Sequence, residues 1–367
     1  MRANIAILEG DGVGPEIVRE GVKVLSAIEK RFGHNFNCKR TPFGAGAFFN
    51  HGLAFPDESK KVCDEADTIL KGPVGLALSE MKRIPVNQRP ELAILELRER
   101  YNTFANYRPV ILPPQLSNLS PLRQEIIDRG INILMIRELV GGIYFGKKTE
   151  GEETKYQSAI DECIYSRQEI EQVTETAFRE SIKLAAKLTV VHKANILATS
   201  RLWQKIVEEI GNKFPQVQYE FILVDNAAFQ LSLNPSKFNG VMLLENMQGD
   251  ILSDQAGGIV GSLGLMCSAC IGPEKSYFEP VHGSAPDIAG LNQANPFSLI
   301  GSVAMLLEKS FNLTEESTIV WNALWEALKS GRVTKDLSTK FDSSSLSTSE
   351  FGNVIVDLIN KPSKSIT

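Results

Sequence analysis

The chain has 367 residues, 39 lysines and arginines against 44 aspartates and glutamates, and 43% hydrophobic residues. That composition supports a buried core in about two domains and excludes wholesale disorder. A net charge of −5 lacks the basic surplus of a dedicated nucleic-acid binder, no apolar run approaches the ~20 residues of a membrane helix, and the opening run Ile5–Leu8 is too short for a signal peptide. A cytoplasmic protein with no nucleic-acid or membrane partner is expected.

The chain opens with an apolar strand at Ile5–Leu8, a tight loop Gly10-Asp11-Gly12-Val13-Gly14-Pro15, and a helix from Pro15 to Phe32 with proline in its first turn. Strand, glycine turn and helix is the pattern of a nucleotide-binding α/β unit. The dinucleotide fingerprint does not fit: with glycines placed at Gly10 and Gly12, its last glycine falls on Pro15, so an ordinary Rossmann fold is rejected. A strand follows at Thr68–Leu70, a helix at Pro90–Glu99 and a strand at Ile131–Ile136. The polar stretch Lys147–Arg167 reads either as a hairpin arm or as a surface loop. Helices at Arg167–Lys187, Ser200–Lys213 and Ala294–Glu308 combine with strands at Thr189–Val191, Glu220–Val224 and Val241–Leu244. This alternation predicts an α/β layered fold with a largely parallel sheet. The polar tail Asn360–Thr367 is expected to fray. Cys267 and Cys270 have C-x-x-C spacing but sit in an apolar run without a second pair, so they read as buried thiols.

Three arginines sit beside element ends: Arg98 after an apolar helix, Arg108 before Pro109, and Arg137 after the strand Ile131–Ile136. Taken singly, each reads as a solvated surface arginine. Converging, their planar donors suit a di- or tricarboxylic acid. Asp225 is expected to end the strand Phe221–Val224, and Asp250 and Asp254 to lie four apart on one face at the start of a helix. Such hard oxygens suit Mg²⁺ or Mn²⁺, although acids near a helix start also favour its dipole. Lys193, after a strand, and Tyr144, in a glycine-rich segment, are candidates for acid–base chemistry. The densest segment is Glu279-Pro280-Val281-His282-Gly283-Ser284-Ala285-Pro286-Asp287, a loop of small residues able to approach a ring or phosphate closely.

Together these motifs resemble, in order and over residues 5 to 355, the metal-dependent β-decarboxylating dehydrogenases of the isocitrate/isopropylmalate dehydrogenase family. The resemblance rests on Gly10–Glu16, Phe104–Pro109, Glu245–Asp254 and Glu279–Asp287. It implies a two-domain α/β fold with a large mixed, mostly parallel sheet flanked by helices. The expected large cofactor-binding domain is 1–103 plus 260–367, and the small one 104–259, bearing the dimer interface and an arm near 147–167. The implied metal ligands are Asp250 and Asp254 with Asp225 of the partner subunit. Arg98, Arg108 and Arg137 would grip the substrate's β-carboxylate, Lys193 of the partner subunit would take the hydroxyl proton, and Tyr144 would return a proton to carbon. Val13, Gly72, Gly75, Glu91, His282, Asn295 and the 279–287 loop would line the cofactor site. In the family the residue at Asp287 meets the adenosine ribose, and a carboxylate there favours NAD over a 2′-phosphorylated cofactor. Each site would use both chains of a homodimer.

The pattern within the family is closest to the isopropylmalate enzymes. Leu92 and Ile94 stand where isocitrate enzymes place serine and asparagine, and Ile94 and Leu95 resemble an isopropyl pocket. The implied reaction is oxidative decarboxylation of 3-isopropylmalate to 2-oxo-4-methylpentanoate and CO₂, a step of leucine biosynthesis. Val140, His192, Gln248 and the loop 76–88 depart from that pattern, so isocitrate, homoisocitrate or another 3-substituted malate stands as the alternative substrate. A non-catalytic regulatory subunit is the reading from another class, and the presence of every acid–base and metal residue counts against it.

Overall fold

The structure, a computed structural model, describes residues 1–149, 155, 157–341 and 344–361. The chain forms two compact units, Met1–Leu97 with Gly261–Ala269 and Glu274–Thr367, and Arg98–Val260 with Cys270–Pro273. Neither is contiguous in sequence.

In the first unit β1 (Arg2–Leu8) is flanked by β2 (Asn35–Thr41) and β3 (Thr68–Lys71), both parallel to it. Helices cover both faces of such a parallel sheet, and Ile5–Leu8 are all buried, which explains their unbroken apolar run. Gly10 and Gly12 turn the chain into α1 (Gly14–Phe32), which ends at Gly33 in the left-handed conformation. Short helices α2 (Ala45–His51), α3 (Asp57–Glu65) and α4 (Leu78–Met81) lead to α5 (Pro90–Arg100). The chain returns through β11 (Cys267–Ile271) and β12 (Tyr277–Pro280), which runs parallel to β3. Cys267 and Cys270 are buried and form no disulfide among the described residues, as their apolar setting predicts.

Helix α11 (Phe297–Phe311) is buried from Phe297 through Leu307, and α12 (Thr314–Lys329) and α14 (Thr348–Asn360) complete the layer. The predicted start of α11 at Ala294 is three residues early. Proline has no N–H and sits at or before the first helical position, so Ala294 and Asn295 cannot continue into it as regular helix; Pro296 is the cap residue, and Asn295 Oδ1 accepts the Phe297 N–H at 3.0 Å.

The second unit holds β4 (Ala105–Leu112), β5 (Ile131–Glu138), β10 (Gly240–Leu244), β8 (Leu188–His192) and β9 (Tyr219–Leu223) in that spatial order. Among the neighbouring pairs of these five strands, β4–β5 is antiparallel and the other three are parallel. The strands are thus mixed and mostly parallel, flanked by α7 (Arg167–Lys183), α8 (Ala198–Gly211), α9 (Val224–Leu233) and α10 (Asn246–Val260). Helix α7 opens on a capping box between Ser166 and Glu169. It stops four residues before the predicted Lys187, because Ala185 takes a positive φ of 48°.

The stretch at 147–167 contains a hairpin of β6 (Lys148–Thr149) and β7 (Ile160–Asp161). Its residues 150–154 and 156 lie outside the described residues, as does the expected frayed tail beyond Lys361. Among the described residues no helix is long and apolar enough to cross a membrane.

Candidate active site

The candidate side chains form two clusters, one in each unit, and a separate Lys193–Asp225 pair in the second. In the second unit, Arg137 is the penultimate residue of β5, inside the strand rather than after it, and Arg108 lies on its partner β4. Arg98 is near the end of α5. All three guanidinium side chains are withdrawn from water, at 1%, 5% and 7% exposure for Arg137, Arg108 and Arg98. Such burial sets them apart from solvated arginines and requires partners.

Those partners come from α10. Asp250 and Asp254 were expected at a helix start; α10 begins at Asn246, so both stand inside the helix, one turn apart. Arg137 Nη1 donates to Asp250 Oδ1 and Nη2 to Asn246 Oδ1 at 2.8 Å. Its Nε is buried with no partner among the described residues. Arg108 Nε donates to Asn106 Oδ1 at 2.7 Å, and Nη1 to Ser253 Oγ at 2.6 Å and to Asp254 Oδ1 at 3.4 Å. A Cβ on Gly249 would stand 2.6 Å from the Arg137 stem, so only glycine lets the helix pass so near the arginine.

The electrostatics follow from this crowding. Burial, with the like charges of Arg108 and Arg98, lowers the Arg137 pKa to about 10. Burial opposes the Asp250 charge, yet Arg137 and Arg108 outweigh it and hold the carboxyl below its usual range. Burial raises the pKa of Asp254, against the pull of Arg108. Tyr144 donates its hydroxyl to Asp250 Oδ2 at 3.0 Å, and burial and that carboxylate push its pKa up. The phenol therefore keeps its proton at neutral pH. Asp250 and Asp254 thus stand among buried guanidinium groups, Asp250 beside both Arg137 and Arg108 and Asp254 beside Arg108.

Lys193 and Asp225 lie elsewhere in this unit and meet each other, Nζ to Oδ1 at 2.9 Å. Asp225 is not at a strand end as expected. The strand stops at Leu223 and Asp225 is the second residue of α9, where Lys193 holds its pKa down. Among the described residues no three His, Cys, Asp or Glu side chains are placed to hold a metal ion.

Behind Arg137, Glu138 is fully buried and accepts from the amides of Val140 and Gly141 at 2.6 and 3.0 Å. Burial pushes its pKa up to about 8 despite those bonds. The folded chain therefore keeps a proton that the unfolded chain releases near 4.5. The resulting stabilisation is complete below that value and is lost as pH rises through about 8. Glu138→Gln, whose amide oxygen accepts the same bonds, should remove this dependence. Between about pH 5 and pH 9 the wild-type Tm should fall by more than the variant's, and equal falls would refute the assignment.

The second cluster lies in the first unit. Gly12 has a φ of +57° and any Cβ there would meet the Ser284 carbonyl at 2.0 Å, which is why the opening loop seats against the 279–287 loop. The Val13 N–H donates to that carbonyl at 2.9 Å. Asp11, missed as a site residue, gathers three amides at 2.9 to 3.0 Å, those of Ala45, Gly46 and Gly75. Gly72 donates its N–H to the Leu8 carbonyl, and Gly75 lies beside Glu91 and Ser284.

A cavity of about 530 Å³ opens here, lined in part by Val13, Gly264, His282, Ala285, Asn295 and Asp336. Gly283 also lines it. Ser284 is buried behind it, and Pro286 and Asp287 are exposed on a one-turn helix off its lining. Glu279 is the third residue of β12, paired with buried Lys71 at 2.5 Å. Ile94 and Leu95 are half-buried on α5. His282 Nδ1 donates to the Gly283 carbonyl at 2.8 Å, burial lowers its pKa, and Nε2 is a buried acceptor without a partner among the described residues. Asp336 holds this wall by accepting from Ser262 and Asn295 at 2.7 and 3.1 Å, and nothing local in Thr-Lys-Asp marked it.

A profile of the isocitrate/isopropylmalate dehydrogenase family matches residues 4–355. The chain is 43% identical to a 3-isopropylmalate dehydrogenase of Bacillus subtilis, over 95% of this chain and 96% of the relative. It is 42% identical to one from Thermotoga maritima, over 96% and 97%. A crystal structure of isocitrate dehydrogenase from Methylococcus capsulatus superposes with a TM-score of 0.85 at 30% identity, covering 98% of this chain and 100% of that one.

Proposed function

The chain belongs to the isocitrate/isopropylmalate dehydrogenase family of β-decarboxylating dehydrogenases, and from that premise we propose that it oxidises and decarboxylates 3-isopropylmalate with NAD and Mg²⁺ or Mn²⁺. The observation that carries the reading is the burial of Arg98, Arg108 and Arg137, with Arg137 Nε left without a partner among the described residues. A buried donor without a partner is costly, and a substrate carboxylate satisfies it. Ile94 and Leu95 face a branched alkyl group in this reading. Leu92 and Ile94 offer no donor to the extra carboxylate of isocitrate.

The residues present fit both bound groups. Asp250 and Asp254 supply hard carboxylate oxygens on one helix face, to be joined by Asp225 of the partner subunit. His282 Nε2 is an orphaned acceptor on a pocket wall, suited to an exocyclic amine of the dinucleotide. When bound, these groups supply hydride acceptance and Lewis-acid stabilisation of developing negative charge.

The protein's own residues do the rest. The three arginines orient the carboxylate that leaves as CO₂. Lys193 of the partner subunit accepts the C2 hydroxyl proton, and the protonated Tyr144 delivers a proton to the carbon left by decarboxylation. A homodimer is supported by exposed apolar side chains close in sequence to the implied site residues: Ile196 and Leu197 after Lys193, Phe229 and Leu233 after Asp225, and Met247 and Ile251 on either side of Asp250. In this reading 1–103 with 260–367 forms the cofactor-binding domain, 104–259 carries the dimer interface, and the arm at 147–167 clasps the partner.

The test is kcat/KM for 3-isopropylmalate, isocitrate, homoisocitrate and other 3-alkylmalates, with NAD and NADP. We expect 3-isopropylmalate with NAD to lead. A lead for isocitrate would overturn the reading of Leu92 and Ile94, and a lead for NADP that of Asp287.

A further inference from the structure

We infer that Asn246, given no role above beyond a contact, is the positioning residue that couples the substrate arginine to the turn bearing the proton donor. The inference rests on the proposed dehydrogenase reading and adds a residue to it. Asn246 is fully buried at the first position of α10. Its two side-chain ends do different things. Oδ1 accepts from Arg137 Nη2 at 2.8 Å, and Nδ2 donates to the Gly141 carbonyl at 2.9 Å. Gly141 begins the turn whose next residues, Gly142–Tyr144, carry the Tyr144 ring over Arg137, 5.9 Å from guanidinium carbon to ring centre. One amide thus sets both the guanidinium plane and the height of the phenol, which converge on Asp250.

Asn246 is in turn held by its own backbone. Its N–H donates to Tyr165 Oη at 3.0 Å, and that hydroxyl donates to Glu245 Oε2 at 2.8 Å. Glu245 also receives the amides of Met247 and Gln248, which anchors the first turn of α10. Tyr165 follows the β6–β7 hairpin, and the Gly142 amide donates to the Ile164 carbonyl at 2.8 Å, so the same segment secures both ends of the bridge. A bridge of this kind is worth more to the reaction than to stability, because an ångström of misplacement costs about 100-fold in rate.

The two bonds can be separated by substitution. Asn246→Asp keeps an acceptor for Arg137 but removes the donor to Gly141. It should leave KM for the acid within about threefold of wild type and lower kcat about 100-fold. Asn246→Ala removes both bonds and should raise KM about tenfold as well. Tyr165→Phe, one oxygen smaller, should lower kcat about tenfold with KM for NAD unchanged. Equal kcat and KM effects in Asn246→Asp and Asn246→Ala, or wild-type kcat in Asn246→Asp, would overturn the inference.

Wild-type turnover of the acid panel is measured first and tests the functional reading separately. If the wild type turns over none of the acids, that reading fails, and a crystal structure of Asn246→Asp decides this inference. Tyr144 displaced from Asp250 with Arg137 retained supports the bridge, and an unmoved Tyr144 overturns it. If Asn246→Ala does not fold, the kcat–KM split in Asn246→Asp and Tyr165→Phe decides alone.

Discussion

Replacing Arg137 by methionine is expected to lower kcat/KM for the acid by about 10³-fold, which is about 4 kcal/mol of transition-state binding. The size follows from the setting. Arg137 is 1% exposed, its Nη groups are committed to Asp250 and Asn246, and its Nε is the donor left open. Truncation removes the proposed substrate contact and a two-point clamp on α10 together. Arg137→Lys keeps the charge but loses the planar fork, and should recover only about tenfold of the loss. The measurement is steady-state kinetics on both variants with the best acid of the panel. A loss below tenfold in Arg137→Met would show that the leaving carboxylate is held elsewhere.

The second large effect concerns the two residues proposed to handle protons, Lys193 and Tyr144. Lys193→Ala and Tyr144→Phe should each lower kcat by about 10³-fold while folding and NAD binding stay near wild type. Lys193 is on the surface with Asp225, away from the contacts of the arginine cluster, so the two losses should complement across a dimer. When the two inactive chains are mixed and allowed to exchange subunits, a two-fold dimer restores one intact site in each heterodimer, about a quarter of wild-type activity. No recovery, with heterodimers shown to form, would place Lys193 and Tyr144 in the same chain's site. Unchanged turnover in Lys193→Ala would remove it from the chemistry.

Much of this was legible in the residues. The opening strand, loop and helix follow from an apolar run, three glycines and Pro15. The i,i+4 spacing of Asp250 and Asp254 places both on one helix face whatever the helix's exact start. The order of long motifs was enough for the family, since each combines a backbone requirement with a chemical one. Gly12 illustrates this: its positive φ and its contact with Ser284 bind the two motifs to each other.

The errors were positional and have local causes. The α10 start was missed because Asn246–Gly249 has no apolar periodicity; Glu245 caps it from outside. Asp225 moved from strand to helix because Val224 continues the apolar run of β9 without a breaking residue. The end of α7 turned on the positive φ of Ala185, a residue type that gives no warning of it.

By itself the sequence determined the fold class, the family and the identity of the chemical groups, because periodicity, glycine sterics and charge type are properties of short segments. Only the tertiary structure decided which groups meet. Three arginines far apart in the chain become one buried cation cluster through the antiparallel pairing of β4 with β5 and the passage of α10 beside them. Asn246, Tyr165 and Asp11 acquired roles the same way, through hydrogen bonds spanning 34 to 109 positions. Such bonds leave no periodic mark in the chain, because their geometry exists only once the sheet and helices have packed.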